Sequence, residues 1–179
     1  MPGSRVEKTL LLRGTTPSEA YDQWLSVIWL GGGGLGTPTI IEAGDELTGL
    51  GSRRQVGGGV IELIESAQRP NTLSYGIKGG PFPVSAHCGT VRFTEHPASS
   101  SDELPVGYGT TVPREGCATL VEWECEYTPS VLGSVLCCCG AGLSCIISTS
   151  FSTMLGTLRN ACNVAAPEVK KGGLNKKES

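Results

Sequence analysis

The residues able to do chemistry in this 179-residue chain are few, and they sit on alternating segments. Arg54 shares strand parity with Val56, and Glu62 occupies the following candidate strand. A guanidinium withdrawn from water without a partner is very costly, so this spacing leaves two readings. Either Arg54 and Glu62 form a cross-strand ion pair, or Arg54 anchors a carboxylate or enolate oxygen of a bound ligand. The chain has two histidines. His96 precedes Pro97 at a loop edge and is expected to be exposed. His87 shares parity with Ser85, Gly89, Val91 and Phe93; on a concave face it becomes the candidate imidazole base. Tyr75 is a second group able to move a proton. No G-x-S-x-G sequence supports a nucleophile.

Two other patterns are weaker. Gly31, Gly33 and Gly36 spell a formal G-x-G-x-x-G. That motif binds a pyrophosphate only between a strand and a helix, whereas here a helical pattern precedes it and an extended Thr-Pro-Thr follows. The run therefore reads as a bend. The eight cysteines include no CxxC pair, and no histidine stands at zinc-site spacing, so no metal is implied. The opening MPGSRVEKT has no apolar stretch behind its basic residue. Cys88, Cys117, Cys125, Cys145 and Cys162 read as reduced thiols, which points to a cytoplasmic protein. Cys137, Cys138 and Cys139 read the same way, with acylation of that cluster, metal binding or redox chemistry as the alternatives. A net charge of −3, weak and mixed, gives no sign of a nucleic-acid footprint.

The elements that must position these residues can be read from period and punctuation. Thr16-Pro17-Ser18-Glu19 is a capping box with proline at the first helical position, and Ala20, Trp24, Val27 and Ile28 recur at helical spacing. A helix is expected over 17–30. Short strands follow at 39–43, 52–56, 60–66, 72–78 and 84–95, with a strand at 6–12 preceding the helix. Residues 96–116 form a long loop rich in Pro, Gly and Ser. In the stretch 117–127, CATLVEWECEY, every second residue is apolar or amphipathic, and Glu122, Glu124 and Glu126 point the other way. That row of glutamates is expected in water. No charge follows between Glu126 and Arg159. Leu132, Leu136, Leu143, Ile147, Phe151, Met154, Leu155, Leu158 and Cys162 give this segment one apolar helical face. It reads as a helix packed on the sheet, or alternatively as a membrane anchor over 131–158 with lysines on one flank.

In order, the pattern is strand, helix, bend, strands in unbroken succession, and a long terminal helix. With Gly49-Leu50-Gly51-Ser52-Arg53-Arg54, Glu62, Leu73-Ser74-Tyr75-Gly76-Ile77, Gly80-Pro81-Phe82-Pro83-Val84, Thr119-Leu120-Val121-Glu122-Trp123 and Tyr127-Thr128-Pro129, the chain resembles the START-like superfamily. This is the Bet v 1-like, or polyketide cyclase/dehydrase-like (SRPBCC), group. The resemblance implies an α+β helix-grip fold, a curved antiparallel sheet of about seven strands wrapped around a long C-terminal helix. The domain would span 1–166, with 167–179 a disordered basic tail. The uncharged final helix and the long loop before Cys117 depart from the family pattern.

Such a fold encloses an apolar cavity wherever inward side chains fail to fill it. Parity then nominates Tyr75, Ile77, Trp123, Cys125 and Tyr127 from the sheet, and Leu136, Leu143 and Ile147 from the helix, as lining or simply as core. Arg54 and Glu62 supply the polar end. The resemblance implies binding or carriage of a small hydrophobic ligand such as a lipid, sterol, polyketide or isoprenoid, with no cofactor. The alternatives are a polyketide cyclase/dehydrase-type enzyme, with Arg54 polarising a carbonyl and His87 or Tyr75 moving a proton, and the membrane-anchored protein.

Overall fold

A computed structural model describes residues 3–97, 117–130 and 141–165. Strand β1 (Ser4–Arg13) leads into helix α1 (Pro17–Gln23), whose last turn passes into π-helical turns over Trp24–Leu30. Six strands follow: β2 (Thr39–Glu42), β3 (Arg53–Val56), β4 (Val60–Gln68), β5 (Thr72–Gly79), β6 (Val84–His96) and β7 (Ala118–Pro129). The long helix α2 (Ala141–Ala165) closes the fold. All ladders are antiparallel, in the order β1-β7-β6-β5-β4-β3-β2. The α+β architecture is therefore a curved seven-stranded sheet gripping a terminal helix, as expected from the sequence.

Local chemistry explains the start of α1. The Thr16 hydroxyl accepts from the Glu19 amide at 3.3 Å while the Glu19 carboxylate accepts from the Thr16 amide at 2.8 Å, so the capping box is complete. Beyond Gln23 the helix departs from the α-geometry that the sequence suggests. In π-helical turns residues five apart align, so Trp29 comes under Trp24, their rings 6.1 Å apart and nearly parallel. Trp24, Ile28 and Trp29 are all buried. An α-helix would have turned Trp29 away from that face.

Strand β7 keeps the alternation of its sequence. Thr119, Val121, Trp123, Cys125 and Tyr127 face inward and are buried. The outer row is less wet than expected. Glu124 is only 12% exposed because Arg5, at 2.9 Å, and Arg92, at 3.2 Å, close over it from the flanking strands. Cross-strand charge pairing at a central position therefore covers one of the three glutamates.

Helix α2 lays Leu143, Ile147, Phe151, Met154, Leu155, Leu158 and Cys162 on the sheet and α1. Phe151 stacks on Trp123 with centroids 4.3 Å apart. The outer face carries hydroxyls that bond back to the helix: Ser152 to the Ser148 carbonyl, Thr153 to that of Thr149 and Thr157 to that of Thr153. Thr157 also donates to the Gly33 carbonyl at 3.1 Å, tying α2 to the glycine bend. Gly33 has φ +60° and lies against Met154, where a β-carbon would intrude. Among the described residues, no helix is long and apolar enough to cross a membrane. Residues 131–140 of the uncharged segment, most of the loop at 96–116, and the tail at 167–179 lie outside the described residues.

Gly89 shows how closely the sheet is packed. A β-carbon there would land in the ring of Tyr75, which lies across β6 from β5. Neither a rigid phenol nor the strand backbone can yield cheaply. Gly89→Ala should lower the unfolding free energy by about 1–3 kcal/mol, measured by urea denaturation. In a Tyr75→Ala background the same change should be nearly free. Equal costs in both backgrounds would refute the contact.

Candidate functional site

A cavity of about 330 Å³ opens between β3–β5, the glycine bend and α2. Its polar end is built around Arg54, which is 5% exposed. The Arg54 Nε donates to Glu62 Oε2 at 2.7 Å, across the β3–β4 register that pairs these two residues. Nη1 donates to the carbonyls of Ile28 and Trp29, each at 2.6 Å. These oxygens sit at the C-terminal end of the π-helical turns, and that of Ile28 also accepts from the Gly31 amide. The indole of Trp29 covers one face of the guanidinium, 4.1 Å from ring centroid to Cζ. Trp29 is itself held by a 2.8 Å bond from Nε1 to Ser52 Oγ. Arg54 Nη2 makes no hydrogen bond among the described residues, and Arg54 borders the cavity.

Tyr75 stands beside this pair. Its hydroxyl accepts from Trp123 Nε1 at 3.0 Å, leaving its own proton to donate. Burial, reinforced by Glu62, pushes the phenol well above its ordinary range, so it stays protonated. His87 lies 5.7 Å from Tyr75, ring to ring. Burial holds its pKa below the ordinary 6.5, against weaker opposing pulls from Glu62, its own main chain and Glu65. The imidazole is neutral at pH 7. Its Nε2 is 3.3 Å from Cys125 Sγ. Burial, and next the neighbouring Cys88, push the Cys125 thiol up to about 12. No thiolate forms there. An imidazole nitrogen accepts better than sulfur, so S–H donates to Nε2 and the ring proton resides on Nδ1. Nδ1 is buried with no partner beyond its own main chain.

The structure thus brings Arg54, Glu62, Tyr75, Ile77, His87 and Ile147 to the cavity. Trp123, Cys125, Tyr127 and Leu143 lie in the packed core behind it, and Leu136 is outside the described residues. Phe151, Met154 and Phe82 contribute walls that the sequence reading assigned to core or turn, and Gly32, Leu35 and Gly36 bring the glycine bend to the mouth. Apolar periodicity marked Phe151 and Met154 as facing the sheet, but period alone does not say which inward residues meet a void. Among the described residues, no group of three or more His, Cys, Asp or Glu could hold a metal ion. Cys88, Cys117, Cys125, Cys145 and Cys162 are free thiols.

A seven-stranded antiparallel sheet closed on a long C-terminal helix, with a cavity between them, is the helix-grip fold. Solved structures make the likeness concrete. Norcoclaurine synthase from Thalictrum flavum, a point mutant in complex with a transition-state analogue, superposes with TM-score 0.59 at 11% identity, over 90% of this chain and 94% of that one. A protein from Nitrosospira multiformis gives TM-score 0.57 at 13% identity, over 88% and 94%. The di-domain ARO/CYC protein StfQ of the steffimycin biosynthetic pathway gives 0.54 at 12% identity, over 92% of this chain and 51% of its own. No protein-family model matches the sequence, and no curated protein matches it. At these identities the likeness establishes the fold alone.

Removing the Arg54 guanidinium strands Glu62 and strips two carbonyls of a donor. Arg54→Met should therefore cost about 3–5 kcal/mol of stability in urea unfolding, and a loss below 1 kcal/mol would refute the clamp. The depressed His87 pKa has a pH consequence. The unfolded chain takes up a proton near pH 6.5 that the folded chain resists, so this contribution to stability is complete above that pH and declines as pH falls through it. His87→Gln should flatten the loss of stability between pH 7.5 and 5. An unchanged slope would refute a buried, neutral His87.

Proposed function

We propose that this protein binds and carries a small hydrophobic ligand in the cavity between sheet and terminal helix. The observation that carries the reading is a concave space of about 330 Å³ with aliphatic and aromatic walls from Ile77, Phe82, Ile147 and Phe151, and one polar end at Arg54, Glu62 and Tyr75. Apolar walls supply affinity, and a few convergent polar groups orient the guest. That volume lies at the small end of ligand pockets, which favours a compact aromatic, polyketide or isoprenoid skeleton over a long acyl chain.

Carriage is supported over cyclase-type catalysis by the state of the proton-moving groups. Burial keeps Tyr75 protonated, and the Nε2 of His87 is engaged by Cys125. A cyclase needs a base in reach of the substrate, matched to working pH. Arg54 and the Tyr75 hydroxyl, as donors, serve to hold an oxygen of the guest. The free thiols of the described strands and helix fit a reducing compartment such as the cytoplasm.

Filling the cavity separates binding from folding. Ile77 borders it from β5 and is only partly buried. Ile77→Trp should retain the thermal transition of the parent protein while losing at least tenfold in affinity for the fluorescent apolar probe N-phenyl-1-naphthylamine. A parent protein that fails to enhance the probe's fluorescence, or a folded variant that binds it equally, would sink the proposal.

A further inference from the structure

Resting on the cavity reading, we propose that the guest is electrically neutral and presents an acceptor beside a donor, as a carboxamide or lactam edge does. The Arg54–Glu62 pair leaves two polar atoms unused. Nε and Oε2 are bonded to each other at 2.7 Å, and Nη1 is spent on the Ile28 and Trp29 carbonyls. Arg54 Nη2 and Glu62 Oε1 make no hydrogen bond among the described residues, and both residues border the cavity. The Arg54 side chain is 6% exposed and that of Glu62 13%, so these free atoms meet little bulk water.

Charge decides the sign of the guest. Glu62 already answers the charge of Arg54, and the two carbonyl oxygens add further negative potential around it. A carboxylate guest would bring a second anion beside Glu62 in a poorly screened site. A hydrocarbon would cover Nη2 and Oε1 without replacing their water. A group that satisfies both must accept from Nη2 and donate to Oε1. These two atoms are not bonded to each other, so the guest must spread acceptor and donor over neighbouring atoms. A planar amide edge does so, and it matches the planar guanidinium and carboxylate.

Four probes of similar shape test this on the full chain by calorimetry: naphthalene-2-carboxamide, methyl naphthalene-2-carboxylate, 2-ethylnaphthalene and naphthalene-2-carboxylate. The amide should bind about tenfold tighter than the hydrocarbon, with the ester between them and the carboxylate weakest. Glu62→Gln removes the negative charge at nearly constant shape and should shift preference toward the carboxylate by about tenfold or more. The proposal is overturned if the parent protein binds the carboxylate as tightly as the amide, or the hydrocarbon as tightly as the amide. It is also overturned if a folded Glu62→Gln leaves the ranking unchanged. If Glu62→Gln does not fold, the parent ranking decides alone. Failure of all four to bind would overturn the cavity reading itself, whereas binding without the ranking overturns only the charge argument.

Discussion

A guanidinium taken out of water has to be surrounded, and Arg54 draws its surroundings from two separate parts of the chain. Glu62 comes from the adjacent strand, two carbonyls from the end of the π-helical turns, and an indole face from Trp29. The guanidinium and the largely buried Glu62 carboxylate would each be destabilising alone. Together they satisfy one another. The N-terminal helix is thereby tied to the far side of the sheet from the strand that precedes it. The π geometry belongs to the same solution, since it stacks Trp29 under Trp24 while its terminal carbonyls face Arg54.

The position of this cluster also accounts for the cavity. The rings of Trp24, Trp29, Tyr75, Trp123 and Phe151 are in mutual contact through the middle of the fold, so little space remains there. Toward β3 and β4 the walls change to aliphatic side chains and the opposing layer becomes the glycine bend, which has almost no side chains to contribute. A void opens where large rings give way to glycine. Arg54 stands on that boundary, held from the core side, with Nη2 making no hydrogen bond among the described residues.

Much of the architecture could be read from local rules. The capping box at Thr16, the alternation along β7 and the apolar face of α2 each rest on neighbours in sequence, and each appears in the structure. The Arg54–Glu62 pairing was also legible, because a short turn of glycines sets the register of β3 against β4. What escaped reading depends on distant partners. Nothing near Trp24 signals that its helix widens, since the cause is the packing of two tryptophans against another part of the fold. Glu124 read as wet because its own strand alternates; the arginines that cover it come from β1 and β6. Trp123 and Cys125 were placed toward the helix by parity, which states the direction of a side chain and not whether it meets a ring or a space.

The same distinction bears on what the cavity can do. His87 and Cys125, on neighbouring strands, have the makings of a reactive thiol–imidazole pair, yet burial drives their titrations apart in the unproductive sense. The thiol is raised to about 12 and the imidazole is lowered, so proton transfer from sulfur to nitrogen is disfavoured from both ends. A catalytic thiolate needs the opposite environment, with positive charge or open amides beside the sulfur. Here the nearby ionisable side chains acting on Cys125 are another thiol and three carboxyls, each raising its pKa. Desolvation therefore turns a potential nucleophile and base into a neutral hydrogen-bonded pair at the cavity wall. The charged groups left beside the void, Arg54 and Glu62, are paired with each other, and that suits them to orienting a guest more than to transforming one.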